Sequence, residues 1–130
     1  MQAIYHETKQ EVTAFLDTTS IINDEVKLFD RLLRGDIYDV SASEIKSSGY
    51  VLHTLEASIW CLLTTTTYKE AVLKAVNLGL DTDTTGAVTG GLAGLHYGFN
   101  AIPEDWVLKL ARNKDIDNLA LALANKFENN

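Results

Sequence analysis

Two aspartates stand two residues apart in the stretch Asn77 to Gly91, NLGLDTDTTGAVTGG, with threonines around them and glycines following. Carboxylates at that spacing in a loop can converge on one hard cation, and a threonine hydroxyl can add a neutral oxygen. Asp81, Asp83 and Thr84 are therefore candidate ligands for an ion held at the start of a helix. The same residues admit a second reading, a turn in which Asp83 accepts from the free N–H groups of that helix. One cap needs one aspartate, and here there are two.

Two other D-x-D chemistries fail on context. An EF-hand loop starting at Asp81 would place Asp83 and Gly86 correctly, but its last position must supply a bidentate carboxylate and is Leu92. A phosphatase of the haloacid-dehalogenase type matches Asp81, Asp83 and Thr85, but its first aspartate must end a buried strand. The preceding YKEAVLKAVNLG has a helical period instead.

The elements that must position the aspartates read as helices. Gly86, Gly90, Gly94 and Gly98 recur every four residues and so share one stripe of a helix expected from about Thr84 to Tyr97. Each interior glycine costs roughly 1 kcal/mol relative to alanine, a sacrifice that makes sense where another backbone approaches closely. That helix is expected at the centre of the fold. Before it, Thr67 and Glu70 form a capping box ahead of Tyr68, Ala71, Val72, Ala75 and Val76. Leu52, Leu55, Ile59 and Leu62 predict a helix over Val51 to Leu63.

Further out the pattern thins. Ala3 to Leu16 gives a weak helical signal, and Asn23 reads as the N-cap of DEVKLFDRLLR, which Gly35 stops. Asp36 to Gly49 is a polar connection. Pro103 suits the first turn of a helix through Arg112, and Asp115 the cap of a last helix with Ile116, Leu119, Leu123 and Phe127 on one side. No segment alternates as a strand, so the expected class is all-α, in one domain over residues 1–130.

Composition excludes some partners. A formal charge of −7 with 11 scattered basic residues does not suit nucleic acid or an anionic membrane. Cys61 is the only cysteine, so no internal disulfide or cysteine-rich zinc site forms, and its apolar setting SIWCLL predicts a buried, inert thiol. Neither a signal peptide nor a membrane span is legible, and a cytoplasmic location is the expectation.

Three stretches, SSGYVLHTLEASIWCLL, YKEAVLKAVNLGLDTDTTGAVTGGLAGLHYG and AIPEDWVLKLA, together resemble the ADP-ribosylglycohydrolases, relatives of the dinitrogenase-reductase-activating glycohydrolase. The resemblance covers about Asn23 to the C-terminus. It implies an orthogonal all-α bundle that hydrolyses the bond joining ADP-ribose to a modified side chain, using two magnesium or manganese ions. Asp81, Asp83 and Thr84 match the family's C-terminal metal ligands, and Ser48, Gly49 and Tyr50 a loop lining the ADP-ribose pocket. Tyr50 either stacks on the ligand or packs on the core. His53, where relatives often carry an acidic residue, reads as structural.

The family's N-terminal half brings a Gly-Asp-Ala motif and a Thr-Asp-Asp stretch, and neither occurs here. The resemblance thus implies a family chain about twice this length, of which this is a C-terminal portion with half a metal site. Two functions follow: a hydrolase completed by an N-terminal half, or a silent structural or partner-binding module, for which the family's jellyfish lens crystallins are a precedent. The catalytic residue is not identifiable. A face that the missing half would cover is expected to drive homo-oligomerisation, with Ala3 to Leu16 as a possible cover.

Overall fold

In the computed structural model, which describes residues 1–19 and 23–128, every regular element is helical and no strand occurs among the described residues. The order is α1 (Gln2–Asp17), α2 (Asn23–Lys27), α3 (Asp30–Leu33), α4 (Val51–Leu63), α5 (Tyr68–Val76), α6 (Thr82–Tyr97), α7 (Glu104–Lys109) and α8 (Asn113–Glu128). Short 3-10 turns at Ile37–Asp39, Ala42–Glu44 and Phe99–Ala101 join them. The all-α expectation holds.

α4 and α6 meet through small residues. α4 buries Thr54, Ala57, Ser58 and Cys61 at helical spacing, and α6 buries Thr85, Thr89 and Ala93. Small side chains on both surfaces allow a close approach, and Ser58 Oγ donates to the Thr85 carbonyl at 3.4 Å. The hydroxyls of Thr85 and Thr89 are buried with no hydrogen-bond partner among the described residues. Cys61 is fully buried, and burial pushes its thiol pKa up to about 11, as an inert core cysteine requires.

The glycine stripe has a different partner from the one expected. A Cβ at Gly86 would lie 3.0 Å from Val76 Cγ1, one at Gly90 3.3 Å from the Tyr68 hydroxyl, and one at Gly94 4.0 Å from Tyr68 Cε2. Side chains of α5 fill the stripe, not a second backbone. The glycines form a groove into which the row of Tyr68, Val72 and Val76 fits. Gly98 ends the row with φ +81° and closes α6, where a left-handed residue costs glycine nothing.

Around this centre, Trp60 anchors the polar connection by donating Nε1–H to the Val40 carbonyl at 2.9 Å. Lys74 Nζ lies 3.7 Å from the Trp60 ring centroid, adding a cation–π contact from α5. Buried Glu56 pairs with Arg31 at 3.6 Å and ties α3 to α4. The polar connection is not a bare loop: Ile37 within it is fully buried.

Several boundaries differ from expectation. The helix expected across 24–34 breaks at Leu28 and Phe29, where N–H groups bond three residues back and Phe29 adopts φ −98° and ψ 7°. Leu28, at the break, is exposed. The cap expected at Asn23 rests on a side chain outside the described set. Pro103 precedes α7, which stops at Lys109 rather than at Arg112. α8 starts at Asn113, so Asp115 is in its first turn, paired at 2.7 Å with Arg112, which has φ +59°.

α1 runs the full length expected and docks by its first half. Tyr5 donates its hydroxyl to the Leu32 carbonyl at 2.6 Å, and Lys9 bonds the Gly35 carbonyl at 2.7 Å. Its second half overhangs a cavity of about 520 Å³ lined by Val12, Leu16, Val26, Phe29, Leu55 and Ile59. No helix among the described residues is long and apolar enough to cross a membrane.

Candidate functional site

The turn before α6 is built to present Asp81. Gly79 and Leu80 both have positive φ, +82° and +57°, so the chain reverses sharply after α5. A bulky residue in that region is strained, and Leu80 is 83% exposed, so no burial offsets the strain. The reversal brings the Asp81 N–H to the Ser47 carbonyl at 3.0 Å. Ser47, buried, returns a second bond from its hydroxyl to the Gly79 carbonyl at 2.9 Å. Two reciprocal bonds thus weld the Ser47–Tyr50 loop to the D-x-D turn.

The loop is close to the carboxylate as well. A Cβ at Gly49 would come within 3.1 Å of Asp81 Oδ2, so the absence of a side chain lets the loop lie against the Asp81 carboxylate. Asp81, Ser48, Gly49 and Tyr50 are therefore neighbours, although more than 30 residues separate them in sequence. Tyr50 is the residue before α4 and is half exposed at 50%, so its ring is not absorbed by the core.

The two aspartates sit in different environments. Asp81 occupies the N-cap position but makes no capping bond with its side chain. Asp83, exposed on the first turn, has its carboxyl held below the usual aspartate range. A hydrogen bond shared with the Asp81 carboxyl is the main cause, followed by the N–H groups of Asp83 and Thr84. Thr84 is exposed on the same turn.

As a donor set for magnesium or manganese, two carboxylates and a threonine hydroxyl have suitable hard oxygen chemistry but are few for a six-oxygen shell. Among the described residues no group of three or more His, Cys, Asp or Glu side chains could hold a metal ion. The residues fit a share of such a site. His53 adds a polar group at the rim: its Nδ1 lies 2.7 Å from Ser48 Oγ, and its ring meets the Tyr50 ring edge-on at 5.2 Å.

Sequence reasoning missed Ser47 and Leu80. Ser47 looked like its neighbour Ser48 in a polar loop, and only the fold distinguishes the buried hydroxyl from the half-exposed one. Leu80 follows a glycine before an aspartate, which suggests a turn but not which residue bears its strain.

Comparison with known proteins covers the whole described architecture. The ADP-ribosylglycohydrolase family model matches residues 2–130. The match takes in α1, which the sequence resemblance had left out. An ADP-ribosylarginine hydrolase, Tri1, of Serratia proteamaculans is 44% identical over 86 residues, covering 66% of this chain and 24% of the relative. The ADP-ribosyl glycohydrolase of dinitrogen reductase in Rhodospirillum rubrum is 42% identical over 65 residues, 50% of this chain and 22% of the relative. The human ADP-ribosylhydrolase ARH3 is 22% identical over 135 residues, 95% of this chain and 33% of the relative. The aligned parts thus span about a quarter to a third of these relatives' length.

Proposed function

The chain belongs to the ADP-ribosylglycohydrolase family, and from that premise we propose that it contributes the C-terminal share of a metal-dependent site hydrolysing ADP-ribosyl glycosidic bonds. Asp81, Asp83 and Thr84 would hold magnesium or manganese, and Ser48, Gly49 and Tyr50 would line the ADP-ribose pocket. The observation that carries the proposal is the pair of bonds between Ser47 and the turn at Gly79–Asp81. They fix the candidate pocket loop and the candidate metal ligands as one unit, as a site joining ligand to metal needs.

In that site the metal, when bound, supplies a positive charge that polarises oxygen groups and offsets developing negative charge. The residues of this chain do the positioning. Gly49 lets the pocket loop lie against Asp81, and the exposed Tyr50 ring offers a face or edge to a sugar or base. Two carboxylates leave the donor set short, so the remaining ligands come from a complementary N-terminal portion of the family fold. The names of the Tri1 relatives suggest ADP-ribosylarginine as substrate class. A cytoplasmic setting suits an unpaired, inert Cys61.

The second reading is a catalytically inactive structural or partner-binding module of the same family. Hydrolysis of an ADP-ribosylated arginine peptide separates the two. We expect turnover only when a complementary N-terminal portion and manganese are added, and its loss on Asp81→Asn with Asp83→Asn. No turnover with the complement, or turnover indifferent to both substitutions, refutes the hydrolase reading.

A further inference from the structure

Ser48 and Tyr50 stand in a loop that contains Gly49, and a loop with that freedom does not hold two side chains still unaided. Its inner side is tied by Ser47. Its outer side is tied by His53, the third residue of α4, where the next turns bury Thr54, Glu56, Ala57 and Ser58 and give a rigid base. His53 Nδ1 reaches Ser48 Oγ at 2.7 Å, and the Tyr50 N–H donates to that same Oγ at 3.4 Å. The His53 ring also meets the Tyr50 ring at 5.2 Å and 85°, edge to face. One imidazole therefore contacts both side chains that the loop offers.

Ser48 Oγ accepts from Tyr50 N–H and keeps its own hydrogen and a second lone pair, so it can pair with His53 Nδ1 as donor or as acceptor. We propose that His53 is a positioning residue, which orients the Ser48 hydroxyl and the Tyr50 ring for ADP-ribose. This rests on the pocket assignment proposed above and adds a residue that the sequence had marked as merely structural. Pre-set side chains lose less freedom on binding, so the effect is on affinity.

The test is calorimetric titration of ADP-ribose, with manganese present, into the full chain and its variants, each checked for helicity and melting temperature. His53→Ala is expected to weaken binding about tenfold, the scale of one positioned hydrogen bond. Ser48→Ala should cost a similar factor, and the double variant no more than the worse single one. His53→Asn, which can present an oxygen near the place of Nδ1, should recover most of the loss. Affinity within twofold of the parent for His53→Ala, or additive losses, overturns the proposal.

A parent chain that binds no ADP-ribose counts against the pocket assignment, and nitrogen-15 NMR of the histidine rings then decides the positioning by itself. The expected spectrum has His53 as a single tautomer set by its bond to Ser48, shifting to a tautomer mixture in Ser48→Ala. A His53 signal indifferent to Ser48→Ala overturns it.

Discussion

α6 and α8 are both 16 residues long, and their apolar patterns are a poor guide to which of them is buried. α6 is rich in glycine and threonine and segregates its apolar residues poorly, yet it buries Thr85, Thr89 and Ala93 completely. α8 lines up Ile116, Leu119, Leu123 and Phe127 on one side, yet these remain 52%, 73%, 56% and 72% exposed. An amphipathic stripe states that a helix needs a partner, but not that the partner is present. Small residues at a four-residue spacing state how closely a partner can come. Both α6 and the site it carries owe their place to closeness, whereas α8 awaits a surface.

The sharpest way to break this contrast is to fill the groove of α6. Gly86→Leu puts a side chain where Val76 Cγ1 lies 3.0 Å from the added Cβ. Overpacking should cost about 2–3 kcal/mol in urea unfolding, even after the gain in helix propensity. A neutral result would show that α5 and α6 are not held together as described. Thr67→Ala removes the hydroxyl that accepts the Glu70 N–H at 3.1 Å and should cost about 1 kcal/mol.

Leu80→Gly works in the opposite direction. It relieves the left-handed strain ahead of Asp81 and gives up almost no burial, so stability should rise by about 0.5–1 kcal/mol. Unchanged or lower stability would mean that Leu80 is not strained. On α8, Leu119→Lys with Leu123→Lys should alter monomer stability by less than about 0.5 kcal/mol. We propose that this face is covered by a second copy of the chain. The double lysine variant should then lower the apparent mass in light scattering. Equal mass in parent and variant would remove α8 from any assembly.

Asp83 gives a pH dependence with a definite sign. Its carboxyl is lowered in the folded chain, so its contribution is present above the ordinary aspartate value near ~4 and fades as pH falls through the lower folded value. In urea unfolding, Asp83→Asn should lower stability near neutrality, where the carboxylate contributes, and flatten the fall of stability in that acid range.

Much of the fold was legible because its signals are local. Val51–Leu63 matches α4 residue for residue, and the Thr67 cap forms as read. Glu70 departs by one position: its carboxylate accepts from both the N–H and the hydroxyl of Thr66 at 3.0 Å. The glycine period correctly marked close packing, but a period cannot tell a backbone from the side chains of a neighbouring helix. The break at Leu28 escaped because apolar spacing continues across it.

The site was legible in kind more than in construction. The D-x-D spacing named the aspartates, yet their separate environments depend on a loop more than 30 residues away. Ser47 carries that link, and nothing in a run of two serines says which of them will be buried. His53 was discounted for the same reason, since its contacts lie in the preceding loop and not along its own helix face.

Manganese calorimetry on the full chain tests the central claim most directly. Binding in the presence of ADP-ribose is expected in the parent and should be lost in Asp81→Asn with Asp83→Asn, whose folds remain intact by circular dichroism. Manganese binding that survives both substitutions would make the two aspartates a helix cap and nothing more.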